Sequence, residues 1–523
     1  MTARRTVSAS GPLGRALIVL AAAALACSRS DVPAVVATSP ATPRPAATDP
    51  PTAEPTLAPS LTPVPATETP SAPEPVVSPT FPATPTHESD EEPTTIVYMA
   101  QPGDTLRTLA IRFGVVPPDI VSPEGPIDDE NALINVDQLL LIPRRLAATG
   151  PADRLIPDSE FVFSPNAVDF DPNGVAVRQG GFLLRYQEAL GGLWRSGPEV
   201  VALAARDNSV NPRILMAVLE YVAGWVTDPE RPEGEAFKYP LGHKDPTTQG
   251  LYRQLTWLAN ELGNGYYGWR SGTLTDVRLR DGTAVRLAPE LNAGTAALQW
   301  YFSTFLDEDR WREAVGPNGV LASYTMLFGD PWAYYHPLYE PGLQQPEMIL
   351  LFTESATWAF TGGPHGAWER EAAWAALDFA PSSVLPVCAP STDWVTAAAA
   401  GLVVRSENGL VVLDLDGDGR EQTGWVLLYL HIDDTGRVPS GGLVEQGDRI
   451  GHPSCLGGVA SGTHVHIARK YNGEWILADG AMPFILSGWT ARSGSRAYQG
   501  ALVRGGDTVL ACPCATSETL ISR

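Results

Sequence analysis

A chain of 523 residues, 44% hydrophobic, with 59 acidic against 36 basic side chains and a formal charge of −23, is too long for one ordinary domain. That charge excludes a nucleic-acid-binding surface and fits an acidic extracytoplasmic protein. The five cysteines are an odd set, so at least one is unpaired or modified.

At the start, Arg4, Arg5 and Arg15 precede an apolar run from Ala16 to Ala26. The run is too short to span a bilayer and suits a signal-peptide core. "ALAC" resembles a bacterial lipoprotein cleavage box, with Cys27 as the residue to be lipidated, although Ala24 stands where Leu is usual. Residues 1–27 are therefore expected to be a signal peptide. The mature chain leaves the cytoplasm, either secreted or anchored to the membrane through Cys27, for a compartment where disulfides persist. Residues 28–94 are expected to be a linker. Between 32 and 93 there are 17 prolines among Ala, Thr, Ser and Glu, with Phe81 the single aromatic, so no core can form and an extended spacer results.

Residues 95–146 read as strand, tight turn at Pro102-Gly103, helix from an Asp104 N-cap, and a closing apolar strand at Leu139–Ile142. Gly103-Asp104-Thr105-Leu106, Ala110, Phe113-Gly114-Val115 and "INVDQLLLIP" resemble the LysM module, a βααβ unit. The resemblance implies binding to N-acetylglucosamine-containing polymer, mainly peptidoglycan, with Gly103, Asp104 and Thr105 in the first contact loop. Between the signatures, "SPEGPIDDENAL" departs from the pattern.

Residues 155–345 read as mainly helical, with a break expected near Asn211-Pro212. The pattern resembles the lysozyme-like fold of lytic transglycosylases. Counted from Ala217, the position of that family's catalytic Glu is Val222; Glu220 is two residues out of place. A muramidase is disfavoured on that count, and the aromatic residues of this segment read as core.

From 346 to 523 the texture becomes short Val/Leu/Ile/Trp runs between Gly, Asp and Pro turns, an all-β signature. His464 and His466 share one face of a strand. His365 and Asp378 lie in "WAFTGGPHGAWEREAAWAALDFAP", and His431 ends the strand of "GWVLLYLHI". A hydrolytic zinc site takes three protein ligands and leaves one position for water. No His-Glu-x-x-His pattern occurs.

These motifs, with "GDRIGHPSCLGG" and "ADGAMPF", resemble the lysostaphin-like (LytM) zinc endopeptidases of the beta-lytic/LasA type. The resemblance implies His365, Asp378 and His466 as ligands of Zn2+, His464 as general base, and His431 as the group that orients or stabilises the oxyanion. It also implies cleavage of Gly-rich or Gly–Ala bonds in peptidoglycan cross-links, by a monomer. The rival is a non-catalytic wall-binding or amidase-activating protein, against which every ligand position is filled.

Cys388 and Cys455 both fall in this region and are expected to pair. Cys512 and Cys514 are too close in sequence for an easy bridge, which leaves free thiols or a terminal metal clip open. "DLDGDGREQTGW" begins like a calcium loop but has Trp425 at its twelfth position, so a hairpin turn is expected. His452 is expected to be structural.

Overall fold

The computed structural model describes residues 94–368, 372–382, 388–389 and 391–523. The signal peptide, Cys27 and the linker lie outside the described residues. All described residues fall within one compact unit, and none of their helices is long and apolar enough to cross a membrane.

The first strand, Thr95–Met99, pairs antiparallel with Leu139–Pro143. Between them runs the helix Leu106–Phe113, which packs Leu106, Leu109 and Phe113 on Tyr98, Leu140 and Ile142. It begins one residue later than expected. Thr105, not Asp104, is the N-cap, and its hydroxyl accepts from the Thr108 amide at 3.1 Å. The second helix of the expected βααβ plan is only a 3₁₀ turn at Pro117–Asp119. Pro123, Gly125 and Pro126 follow directly, and two prolines with a left-handed glycine cannot continue a helix.

The middle segment is mainly helical, as expected. Helices Gly197–Asn208 and Pro212–Ala223 break where Asn211 caps the second one through the Arg213 amide at 2.9 Å, with Pro212 at its first position. The longest helix, Leu251–Ser271, lies against Ala293–Ser303.

Beyond residue 346 the described residues contain strands and no helix. Nine strands form one antiparallel sheet, in which Trp425–Leu430, Val465–Tyr471, Trp374–Pro381 and Thr357–Gly366 are successive neighbours. Both faces of this sheet are buried, which is why its central strands are continuous apolar runs. One face carries Leu377, Phe379, Leu427, Tyr429, Val465 and Ile467 into a core shared with the strand at Trp489–Ser493. The other face carries Ala376, Val426, Leu428, Leu430 and Ala468 into the same core as the helical segment. Polar contacts bind that second face too. The Trp475 amide donates to Tyr267 Oη at 3.1 Å, Ser209 Oγ donates to Gly473 O at 2.8 Å, and Arg405 pairs with Asp207 at 2.7 Å.

Arg270, at the end of the long helix, ties all three regions together. It donates to the Pro102 carbonyl of the N-terminal module and pairs with Asp158 at 3.0 Å and with Glu474 of the sheet at 2.9 Å. Arg270, Asp158 and Glu474 are all buried. Arg270→Ala would leave two carboxylates uncompensated, which costs about 3–5 kcal/mol. Thermal denaturation of the variant should show that loss, with a larger effect than Arg312→Ala at the exposed Glu308 pair.

Candidate metal centre

The register of the sheet sets Asp378 directly opposite His466, and both project to the face shared with the helical segment. His365 comes from the neighbouring strand, in a stretch where the pairing is irregular at three points. The Gly-Gly before it is required by space. A Cβ on Gly362 would lie 2.5 Å from Asp378 Oδ2, and one on Gly363 would lie 2.6 Å from the Gln499 backbone.

The three side chains converge. His365 Nε2 is 3.2 Å and His466 Nδ1 is 3.3 Å from Asp378 Oδ1, and the two nitrogens are 3.1 Å apart. All three residues are buried. Donors at zinc distances of about 2.0–2.1 Å and tetrahedral angles stand about 3.3 Å from one another.

Backbone carbonyls settle the tautomers. Gly363 O lies 2.8 Å from His365 Nδ1, and Ala367 O lies 2.9 Å from His466 Nε2. A carbonyl only accepts, so each of those nitrogens carries the proton and the inward nitrogen presents a lone pair. Asp378 Oδ1, also inward, is buried and without a hydrogen bond. Three electron-pair donors in mutual contact repel unless a cation or proton lies between them, so the residues fit a divalent metal.

The electrostatics follow. Burial alone would raise the Asp378 carboxyl, but His365, His466 and His464 around it hold it well below the usual range. Burial would lower His365, and Asp378 more than reverses that. His466 is lowered, chiefly by burial.

The two remaining imidazoles stand beside the cluster. His464 Nε2 is 3.8 Å from Asp378 Oδ1, and its Nδ1 donates to Gly462 O at 2.8 Å. His431 is left-handed, φ 67°, and its ring lies 4.4 Å from that of His464. Its Nδ1 donates to Leu456 O at 2.8 Å. Burial, then His464 and His466, pushes it down to about 3. The structure thus brings together all five residues singled out from sequence.

Elsewhere the expectations fare unevenly. Cys388 and Cys455 are bridged. Cys512 and Cys514 are bridged as well, in place of the free thiols or metal clip left open above. Asp414, Asp416 and Asp418 have oxygens within 4.8 Å of one another, but Asp414 accepts from the amides of Asp416, Gly417 and Gly419 and so serves a turn. His452 packs against Trp394 with the rings tilted and donates to Asp393 O, away from the cluster.

The expected sugar-contact residues are spent internally. Asp104 accepts from Tyr98 Oη, the Gln101 amide and Arg112; Thr105 is the buried helix cap; and a Cβ on Gly103 would meet Arg270. Glu220 accepts from the Val226 and Thr227 amides and from Thr227 Oγ1, so its carboxylate holds the loop that follows its helix. Tyr498, whose ring stacks on His365 at 4.1 Å, was missed from sequence; no motif marks it.

Residues 154–342 match the family model "LasA, N-terminal domain". The curated relatives "Protease LasA" of two Pseudomonas aeruginosa strains, UCBPP-PA14 and PAO1, are each 26% identical to this chain in an alignment of 302 residues that covers 52% of this chain. The chain is similar to these proteases over that stretch. The match spans 66% of the relatives' own length, just under two thirds. Among solved structures, the M23 metalloprotease pseudoalterin is 22% identical, over 32% of this chain and 96% of its own, with a TM-score of 0.28. The catalytic domain of lysostaphin from Staphylococcus simulans is 18% identical, over 24% and 95%, with a TM-score of 0.18. The LasA-like N-terminal domain is thus the helical segment itself, and the residues of the metal cluster all lie beyond it.

His431 and His466 are both held neutral by burial, so unfolding at acid pH takes up protons. Depressed folded-state values mean stability that is full above an ordinary histidine value of about 6.5 and lost as pH falls below it, for His431 down to about 3. Metal-free protein should therefore lose up to about 1.4 kcal/mol per pH unit per such histidine below pH 6.5, and urea titrations of His431→Asn should show a shallower slope.

Proposed function

We propose that this chain is an extracytoplasmic, cell-wall-associated zinc endopeptidase that hydrolyses Gly-rich or Gly–Ala peptide bonds in peptidoglycan cross-links. The observation that carries the reading is the convergence of three buried donors, His365, Asp378 and His466, beside the imidazoles of His464 and His431. The likeness to Protease LasA supports it.

A bound zinc supplies a water acidified towards a pKa of about 7 and polarises the scissile carbonyl. The chain's own residues do the rest. Gly363 O and Ala367 O lock the ligand rings in the tautomers that face the ion. His464, its Nδ1 committed to Gly462 O, keeps Nε2 ready to accept the proton released in hydrolysis, a contribution of about 10² to 10⁴ in rate. His431 has the same tautomer, so its Nε2 is an acceptor in the resting site. It stabilises a developing oxyanion only after it has taken up a proton.

Wall binding falls to the N-terminal module. Since Asp104 and Thr105 are buried, the loop at 132–136 is the better contact surface; it opens on a cavity of about 560 Å³ shared with the connector at 339–348 and the 481–488 loop. Delivery is by secretion or by lipid on Cys27.

Digestion of purified peptidoglycan followed by muropeptide analysis tests the reaction class. Cut cross-bridges are expected; anhydromuropeptides or an absence of soluble product would refute it. His466→Ala should lose the single bound zinc, whereas His464→Ala should keep the metal and lose about 10²-fold or more in kcat.

A second outcome follows from the core that the helical segment shares with the site's face of the sheet. The intact chain is latent, because the surface that would floor a substrate groove is covered. Limited proteolysis in the connector, where Glu340, Pro341, Gly342 and Gln344 are exposed, should raise hydrolysis about tenfold or more. Equal activity before and after cleavage would show the covering to be harmless.

A further inference from the structure

Three consecutive residues, Ser454, Cys455 and Leu456, grip His431 from two sides. The Ser454 amide and hydroxyl both donate to the His431 carbonyl, at 2.7 and 3.1 Å. The Leu456 carbonyl accepts from the His431 ring at 2.8 Å. The grip is closed on itself, since Ser454 Oγ also accepts from the Leu456 amide at 3.1 Å. Cys455, at its centre, is bonded to Cys388. The next residue along, Ala389, accepts from Thr463 Oγ1 at 2.7 Å. Thr463 immediately precedes His464. One dipeptide, Cys388-Ala389, is therefore fastened to the mounts of both non-ligand imidazoles.

Those mounts need fastening. A left-handed φ of 67° is uncommon in a residue other than glycine and persists only where its surroundings hold it. The gripping loop brings little apolar anchorage of its own: Gly457 and Gly458 follow it, and Leu456 and Val459 are 40% and 79% exposed. Its close packing is mostly on backbone: a Cβ on Gly409 would lie 2.5 Å from Leu456 C, and one on Gly457 would lie 2.4 Å from Asn408 O. A single ladder bond, from the His464 amide to the Ser454 carbonyl at 3.3 Å, joins the two mounts directly.

We propose that the Cys388–Cys455 bridge is a positioning element for His431 and His464, holding the two rings at their working separation, and not a general staple of the fold. The catalytic consequence rests on the function proposed above; the positioning itself does not. In the absence of the bridge, His431 is expected to leave its left-handed conformation and the pair to lose alignment, while the three ligands stay in place on their strands.

The test compares the full chain with its Cys388→Ser/Cys455→Ser double variant, after the same connector cleavage. Zinc content, amide hydrogen exchange and hydrolysis of a soluble Gly-Gly-containing peptide are read on both. Exchange should rise about tenfold or more in residues 454–464 while the strands Trp425–Leu430 and Val465–Tyr471 keep their protection. Zinc should remain at about one equivalent, and kcat should fall about tenfold or more with KM changed less than about twofold. Thr463→Val, which keeps the bridge, should lower kcat to a smaller extent. Unchanged exchange at 454–464, or a kcat within about twofold of the parent, would overturn the proposal. Should the double variant fail to fold, Ser454→Ala removes the hydroxyl's part of the grip with both cysteines intact, and the same readouts decide. A parent chain that hydrolyses nothing refutes the proposed function, and the exchange measurement then decides the positioning alone.

Discussion

Asp378 and His466 are direct cross-strand partners, so the sheet's hydrogen-bond register places a carboxylate and an imidazole on the same side within coordination reach. A slip of one residue would turn every side chain of that strand over, sending His466 into the apolar core of Val465 and Ile467. The register is fixed because both faces are buried. The apolar residues that specify the fold on one side specify the donor geometry on the other. Four carbonyls then complete the arrangement by deciding which nitrogen of each ring bears hydrogen.

The helical segment is part of this arrangement and not an appendage. It shares a core with the site's face of the sheet, and it is pinned there by buried charge. Arg270, Asp158 and Glu474 form one cluster, Asp207, Arg405, Glu421 and Lys470 another. Buried pairs of this kind contribute modestly when intact and cost several kcal/mol when halved, so they act mainly to specify which surfaces meet.

Much of this was legible in the sequence. His365, Asp378, His431, His464 and His466 stand out in ordered motifs because few residue types carry such chemistry, and the fold brings them together. The Cys388–Cys455 pair stands out likewise. The groups that orient them do not. Gly363, Ala367, Leu456 and Gly462 act through their carbonyls, and a carbonyl leaves no trace in residue identity. Tyr498 reaches His365 only because a separate hairpin folds beside it. The N-terminal module shows the opposite failure: Gly103, Asp104 and Thr105 match a binding motif, yet the fold uses Asp104 and Thr105 to hold the module's own turn and helix. Asp104 and Thr105 are occupied within the module itself, and only Gly103 is covered by Arg270.

Leu410, Val412, Val426 and Leu428 face the helical segment across a common interior, not across a water-filled gap. A chain shortened to the sheet alone would emerge with that strip bare to solvent, four branched aliphatic side chains on adjacent strands. Such a surface invites self-association, and its solubility would then depend on whatever polymer or neighbour lay down on it first.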